Sequence, residues 1–388
     1  MGQDSFTEVS GQGWFSRIGS SIKGIFFGLL LVLVSFLVLF WNEGRAVKRY
    51  KTLKEGGGTV ISINSGTVNL NNNGRLIHLS GRADTSETLM DNNFGVSRQA
   101  LKLKRTVLMF QWQESTSSET KKKIGGGTET TTTYNYNKEW SERPIDSSRF
   151  KHPEDHRNPG SMPYQTTEYV AGTVSLGSFR LSPYLVGRID NYSKLTLDQS
   201  YVLPENLQAE AHSDAGGLYI GRTSAGPEIG DMKVSFAVVL PADVSIVAQQ
   251  VENTFEPYRT KVGGTIELLQ LGTISADAMF HQAQQSNKMM TWILRGLGLL
   301  MMFIGLRMIL TPLSVIADVL PIAGTIVGAG IGIVSFLTAL AFSFLTIAFA
   351  WIFFRPLIGV TMLVVFGVLV FLIVKKLRKV DLPPLPVT

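Results

Sequence analysis

The sequence predicts a membrane protein with four transmembrane α-helices, one N-terminal and three C-terminal. A large, mainly β (α+β) soluble domain is inserted between the first and second helices. Two observations predict this. Residues 24–41 (GIFFGLLLVLVSFLVLFW) are an uncharged apolar run of 18 residues; as a helix it spans about 27 Å, close to the ~30 Å hydrocarbon core of a bilayer. Three further apolar runs crowd the C-terminal end, whereas residues 42–288 are polar, rich in Thr, Asn and Gly, and show strand-like alternation. A chain of 388 residues accommodates one membrane part and one water-soluble part.

Each element follows in order. Residues 1–23 are polar and Gly/Ser-rich and predict a short disordered tail, with Trp14 and Phe15 dipping into the membrane interface. No A-x-A-like cleavage site follows the first span, so residues 24–41 read as a retained helix. Gly24 and Gly28 form a G-x-x-x-G pair that lets another helix approach closely. Within residues 42–288, Thr106–Glu114 and Thr130–Trp140 alternate and are rich in β-branched and aromatic residues. The polar, Gly-containing stretch between them predicts a long hairpin with a mobile tip. Further strands are expected at Met232–Leu240, Val244–Glu252 and Ile266–Leu271, with Pro241-Ala242-Asp243 as a turn. Helix is expected at Glu87–Asp91, Glu205–Ala211 and Ala276–Met290, the last capped by Ser275 and running on into the second span.

The second span is placed at 289–311, ended by Pro312, with Arg295 and Arg307 snorkelling toward opposite headgroup layers. Val319–Phe354 is an uncharged run of 36 residues, about 54 Å as a helix and too long for one perpendicular crossing. Pro321 and Gly324 are assigned to the preceding loop, leaving a tilted third span at 326–354; a re-entrant break at the GAGIG stretch is the alternative. Arg355-Pro356 makes a corner, because proline disfavours helix at the residue before it. The fourth span is 357–374, and 375–388 is a basic, Pro-rich tail.

Charge sets partners and orientation. The net charge is +6, and the positives cluster beside the spans: Arg45, Lys48, Arg49, Lys51 and Lys54 after the first, Lys375, Lys376, Arg378 and Lys379 after the last. Membrane lipids are therefore the expected partner, and nucleic acid is not. Four spans put both termini on one side. The basic C-terminal segment makes that side the cytoplasm and faces the large domain outward; the five positives after the first span argue locally for the opposite. The chain has no cysteine, which excludes disulfides and thiolate metal sites.

The motifs carry little chemistry. Asn42-Glu43-Gly44-Arg45 sits where the first span leaves the bilayer, and Glu43 with Arg45 reads either as a neutralised pair organising that junction or as a generic polar stop. His152 and His156 stand four apart but in a Pro/Asn-rich loop with no third ligand nearby, so a solvated loop is the better reading than a metal site. Gly328-Ala329-Gly330-Ile331-Gly332 lacks the Lys-Ser/Thr of a phosphate loop. Gly324, Gly328 and Gly332 recur every four residues on one helix face, a pattern suited to helix packing. The five histidines are scattered, and no G-x-S-x-G elbow accompanies them. No enzyme activity, cofactor or metal is expected.

An ordered set of segments resembles the LUMA (transmembrane protein 43) family. It comprises Asn42-Glu43-Gly44-Arg45-Ala46; Gly74-Arg75-Leu76-Ile77-His78; Lys102–Arg105 with Gln111–Glu114, which includes Trp112; Asn137-Lys138-Glu139-Trp140; Glu228 to Ser235, which includes Gly230 and Asp231; Ser286 to Trp292; and Phe354-Arg355-Pro356-Leu357. The resemblance covers nearly the whole chain. It implies four spans with a large domain between the first two, location in the endoplasmic reticulum and inner nuclear membrane in animals, self-association, and binding to emerin and lamins. This chain departs in lacking cysteine and in its Pro-rich tail, which points to a prokaryotic relative in a cytoplasmic membrane.

The expected function is a non-enzymatic scaffold that self-assembles as a homo-oligomer through its extramembrane β-rich domain and glycine-lined helices, and organises membrane or recruits membrane or signalling proteins. An oligomeric channel or transporter is the second class, although ionisable residues at mid-bilayer, usual in transport pathways, are missing. A membrane-anchored sensor domain binding a lipid or small ligand is the third.

Overall fold

The structure, a computed structural model, describes residues 4–197, 201, 203–221, 226–357, 359, 361 and 364. The expected fourth span and the tail therefore lie almost wholly outside the described residues. Two compact units emerge: Met1–Ser10, Thr52–Lys121 and Glu129–Gln282 form the first, and Gly11–Lys51, Lys122–Thr128 and Ala283–Thr388 the second.

The first unit is a β-sandwich. Its strands are β1 (Asp4–Gln12), β2 (Leu76–Asp84), β3 (Thr88–Asp91), β4 (Val96–Gln99), β5 (Lys102–Lys122), β6 (Thr128–Ser141), β7 (Ala211–Asp214), β8 (Gly217–Ile220), β9 (Met232–Val239) and β10 (Ala242–Val251), with several shorter pieces. One sheet runs in the order β1-β6-β5-β9-β8-β7; the other is built around β2 and β10. Both central pairings are antiparallel, Met232 facing Met109 through Val239 facing Lys102, and Ala242 facing Ala83 through Gln249 facing Leu76. Period-two alternation explains the layering. Leu103, Val107 and Met109 of β5 and Val234, Phe236 and Val238 of β9 point inward, where they meet Ile77 and Leu79 of β2 and Ile246 and Ala248 of β10 in one buried cluster. Each such side chain removed from water contributes about 1.5–3 kcal/mol.

Four expectations change here. Glu87–Asp91 is not helical: Leu89 and Asp91 point inward while Thr88 and Met90 do not, and the Asp91 carboxylate accepts from Asn93 N and Phe94 N to build a hairpin turn. Glu205–Leu207 is a single 3₁₀ turn, and Ala211 already begins a strand. The hairpin arms extend far beyond the expected strands, so the tip shrinks to residues 123–127. At its N-terminus the chain also differs from the expected disordered tail, because Asp4–Gln12 pairs as an edge strand with β6.

The second unit holds three long helices: α1 (Trp14–Thr59), of which residues up to Lys51 belong here, α2 (Ala276–Ala317), from Ala283 onward, and α3 (Pro321–Phe354). All three are long and apolar enough to cross a membrane. Phe26, Phe27, Leu30, Leu33 and Leu37 of α1 face outward, an apolar surface matched to lipid rather than water. α1 does not stop at Trp41 but carries Asn42 to Arg45 as helix. Pro312 does not end α2. It removes the backbone donor that would reach Met308 O, and the neighbouring hydroxyls bond other carbonyls, Thr311 Oγ1 donating to Arg307 O (2.7 Å) and Ser314 Oγ to Thr311 O (2.8 Å), in a helix that runs on to Ala317. Pro321 sits in the first turn of α3, where its missing N–H costs nothing, so Pro321 and Gly324 belong to the helix and not to a loop. α3 is unbroken through the GAGIG stretch.

The glycines that bring helices together are only partly the expected ones. A Cβ on Gly28 would lie 2.6 Å from Gly305 O, and one on Gly305 would lie 2.8 Å from Gly28 O, so α1 and α2 touch backbone to backbone there. Leu39 fills the space over Gly298 and joins Met302 and Ala339 in a buried contact among the three helices. Gly24 meets nothing within 4 Å among the described residues. Gly28→Leu is therefore expected to lower stability by about 1–3 kcal/mol, as overpacking does, with Gly24→Leu near neutral. Thermal unfolding of the full chain in detergent separates the two.

Candidate functional site

A polar layer joins the three helices at one level. Asn42 and Arg45 are one turn apart on α1, Asn287, Thr291 and Arg295 recur at four-residue spacing on α2, and Trp351 and Phe354 close the end of α3, so each helix turns one face to the layer. Glu43 is fully buried: its Oε1 accepts from Arg295 Nε (2.7 Å) and its Oε2 from Trp351 Nε1 (2.8 Å). Asn42, also fully buried, donates to Thr291 O (3.0 Å) and accepts from Arg45 Nη2 (3.1 Å). Arg45 also donates to Asn287 Oδ1 (3.1 Å) and Thr291 Oγ1 (3.2 Å), and Asn287 Nδ2 returns a bond to Ala46 O (3.0 Å). Gly44 leaves room for the Phe354 ring, whose Cζ would lie 2.7 Å from a Cβ there.

Of the expected junction residues, the structure brings together Asn42, Glu43, Gly44, Arg45 and Arg295. Arg355 stands nearby, its guanidinium 5.8 Å from the Trp351 ring. Arg307 and Pro356 are exposed and take no part. The carboxylate pairs with Arg295 and not with Arg45, because Arg45 is occupied by side-chain amide and hydroxyl oxygens. Both Glu43 oxygens are thus engaged by donors on the other two helices.

A second charged cluster sits at the other end of α1. Asp318, in the α2–α3 link, has a side chain 1% exposed and accepts from Arg17 (2.5 Å) and from Lys122 (2.6 Å), the last residue of β5 before the hairpin tip. Trp14 Nε1 donates to Val315 O (2.8 Å), and Gly125 N donates to Val319 O (3.2 Å). If residues 24–41 cross a bilayer, the hairpin tip and Trp14 lie on one side of it. Burial pushes the Asp318 carboxyl up, but the hydrogen bonds from Lys122 and Arg17 outweigh it and hold the group below the usual carboxylate range. A depressed carboxyl stabilises above its unfolded pKa of about 4 and loses that contribution as pH falls through its folded value. The Gly125 amide, compared with its intrinsic exchange rate at each pH, should therefore be protected at pH 7 and lose that protection only below pH 4, and Asp318→Asn should lack it already at pH 7.

The remaining expected residues are spread through the sandwich. Gly74 adopts φ +78° in a turn and donates to Gln250 O (2.9 Å), while Arg75 O accepts from Gln250 N (3.1 Å). His78 bridges Ser62 Oγ (3.1 Å) and Ile274 O (2.9 Å); the carbonyl requires the proton on Nε2. Trp112 meets the His156 ring edge-on at 4.7 Å, and His156 stacks on Tyr136 at 3.8 Å. His156 is thus buried among aromatics, not in the solvated loop expected. Trp140 packs on Phe110 and Tyr219. Gly230 has φ +99°, and Asp231 accepts from Tyr219 Oη (2.5 Å) and Glu228 N (2.8 Å). Burial, and then that carboxylate, pushes the Tyr219 phenol up. These residues fix turns and strand packing and do not converge on one site. Of the expected packing glycines on α3, Gly324 abuts Asp318, Gly328 has only Ser314 Cβ at 3.9 Å, and Gly332 meets nothing within 4 Å among the described residues.

The comparisons agree with the residue-level resemblance. The family model described as Transmembrane protein 43 matches residues 109–356. Transmembrane protein 43 of Homo sapiens is 35% identical over 356 residues, covering 89% of this chain and 88% of the relative. The Drosophila melanogaster homologue is 29% identical over 349 residues, covering 87% and 90%. No solved structure matches. The matched relatives named here are animal proteins, so the expected prokaryotic source finds no support. With its long apolar helices, the chain is an integral, multi-pass membrane protein and belongs to the transmembrane protein 43 family.

Proposed function

We propose that the chain is a non-enzymatic membrane scaffold that self-associates through the glycine-lined face of α3 and, in that assembled state, organises the bilayer or recruits membrane proteins. The observation that carries this reading is the uncovered small-residue face. Gly328 and Gly332, one turn apart, meet between them only Ser314 Cβ, at 3.9 Å, within 4 Å among the described residues, and Phe336, one turn further along the same face, stands exposed. A helix face of this kind lets a second helix approach to backbone contact, and van der Waals packing then replaces looser lipid contacts. The polar layer supports the role by fixing the three helices, so that contacts between copies repeat in one geometry and add through multivalency.

Mass photometry of the full chain in mild detergent tests the reading. Oligomers are expected for the natural sequence at micromolar concentration, and Gly328→Leu/Gly332→Leu should convert them to monomers. A natural chain that is strictly monomeric would remove the proposal.

A further inference from the structure

A cleft of about 580 Å³ opens between α2 and α3 directly beside the polar layer, lined by Trp292, Arg295, Leu299, Leu340, Phe344 and Ile347 among others. Its walls change character along the helices. At one end the Arg295 guanidinium lies 4.8 Å from the Trp292 ring and 5.8 Å from the Trp351 ring. Tryptophan and arginine together mark the headgroup level of a bilayer. From there the cleft descends along Leu299 and Leu340, seven residues from Trp292 and eleven from Trp351, or about 10 and 16 Å into the apolar zone. A cleft at that depth is too apolar to hold water and is surrounded by lipid chains.

Arg295 has donors to spare. Its Nε is used by Glu43 (2.7 Å), and the four N–H groups on its two terminal nitrogens have no hydrogen-bond acceptor among the described residues. The charge around it is unbalanced: Arg295 and Arg45 both feel the Glu43 carboxylate, and Arg355 stands 5.8 Å from the Trp351 ring that shares it. A guanidinium with free, forked N–H groups is matched to a phosphate oxygen. We propose that this cleft binds one anionic glycerophospholipid, with an acyl chain between α2 and α3 and its phosphate on the terminal nitrogens of Arg295. The site is independent of the self-association proposed above, because it lies within one chain.

Native mass spectrometry of the full chain tests this after exchange into detergent with phosphatidylglycerol and phosphatidylcholine of identical acyl chains. One retained phosphatidylglycerol is expected, favoured over phosphatidylcholine about fivefold, the order of magnitude for one basic side chain at a membrane surface. Ala348→Trp, which fills the cleft without touching the ion pair, should reduce retention of both lipids about tenfold. Arg295→Gln alone strands Glu43, so the paired variant Glu43→Gln/Arg295→Gln is the charge test; it should keep binding and lose the preference. Equal retention of the two lipids by the natural chain would overturn the proposal. So would unchanged retention by Ala348→Trp, or failure of the natural chain to retain either lipid, the result expected if residues 357–374 occupy the cleft themselves.

Discussion

Replacing Glu43 with alanine is expected to be among the most damaging single changes in the membrane part. Glu43 is fully buried and answers two donors on two other helices, Arg295 Nε and Trp351 Nε1. Its loss leaves a guanidinium whose side chain is 15% exposed without its counter-charge, and breaking a buried pair costs about 3–5 kcal/mol. The residual exposure of Arg295 places the effect near the lower end. Glu43→Gln keeps acceptors for both donors and should lose less, and Glu43→Gln/Arg295→Gln should recover part of the loss by removing both charges. Thermal unfolding of the natural chain, Glu43→Gln, Arg295→Gln and Glu43→Gln/Arg295→Gln in one detergent closes a double-mutant cycle, and a coupling under about 0.5 kcal/mol would show that the pair is not what holds α1 to α2.

The second large effect is expected inside the sandwich. Arg105 Nη1 meets both Asp91 oxygens, at 2.8 and 2.6 Å, with side chains 4% and 0% exposed. The remaining donors are also used: Nε bonds to Gln165 O (3.0 Å) and Nη2 to Thr167 Oγ1 (3.1 Å), while the Phe94 ring lies 5.2 Å from Cζ. Asp91 additionally holds the β3–β4 turn. Asp91→Ala therefore strands a buried cation and frees two backbone N–H groups at once, and should cost about 3–5 kcal/mol. Asp91→Asn, which still accepts from the turn, should cost less. Urea titration followed by near-ultraviolet circular dichroism reads the loss, and a midpoint unchanged in Asp91→Ala would contradict the geometry.

Much of the architecture was legible because it rests on periodicity. Apolar runs of membrane length and the alternation in Thr106–Glu114 and Met232–Leu240 are local signals, and the helices and central strands stand where those signals lie. Boundaries were less legible, for physical reasons. α1 continues past Trp41 because Asn42, Glu43 and Arg45 find partners on α2 and α3, and no local pattern announces a distant partner. Glu87–Asp91 has helix-compatible residues, yet the buried Arg105 pulls Asp91 into a strand. In the candidate site, Glu43 and Arg45 were visible as charges beside an apolar run, and Arg295 as a charge within one. Their pairing was not, since Arg45 is nearer to Glu43 in sequence but is claimed by Asn287 and Thr291. Asp318 was missed although it carried a signal: it is the lone charged residue between Arg307 and Arg355. Trp351 gave no sign beyond its place near a helix end.

The Asp318 cluster also dictates an order of events during synthesis. Arg17 and Lys122 leave the ribosome early, yet the carboxylate that neutralises them is 301 and 196 positions further along. Until that aspartate emerges, two cations at that end of the helices lack this counter-ion, and the hairpin turn lacks its tie to the α2–α3 link. Closure of such distant pairs is slow and comes late in folding. A nascent polypeptide interrupted before the α2–α3 link would therefore remain unlatched at that end, which makes Asp318 the residue whose arrival completes it.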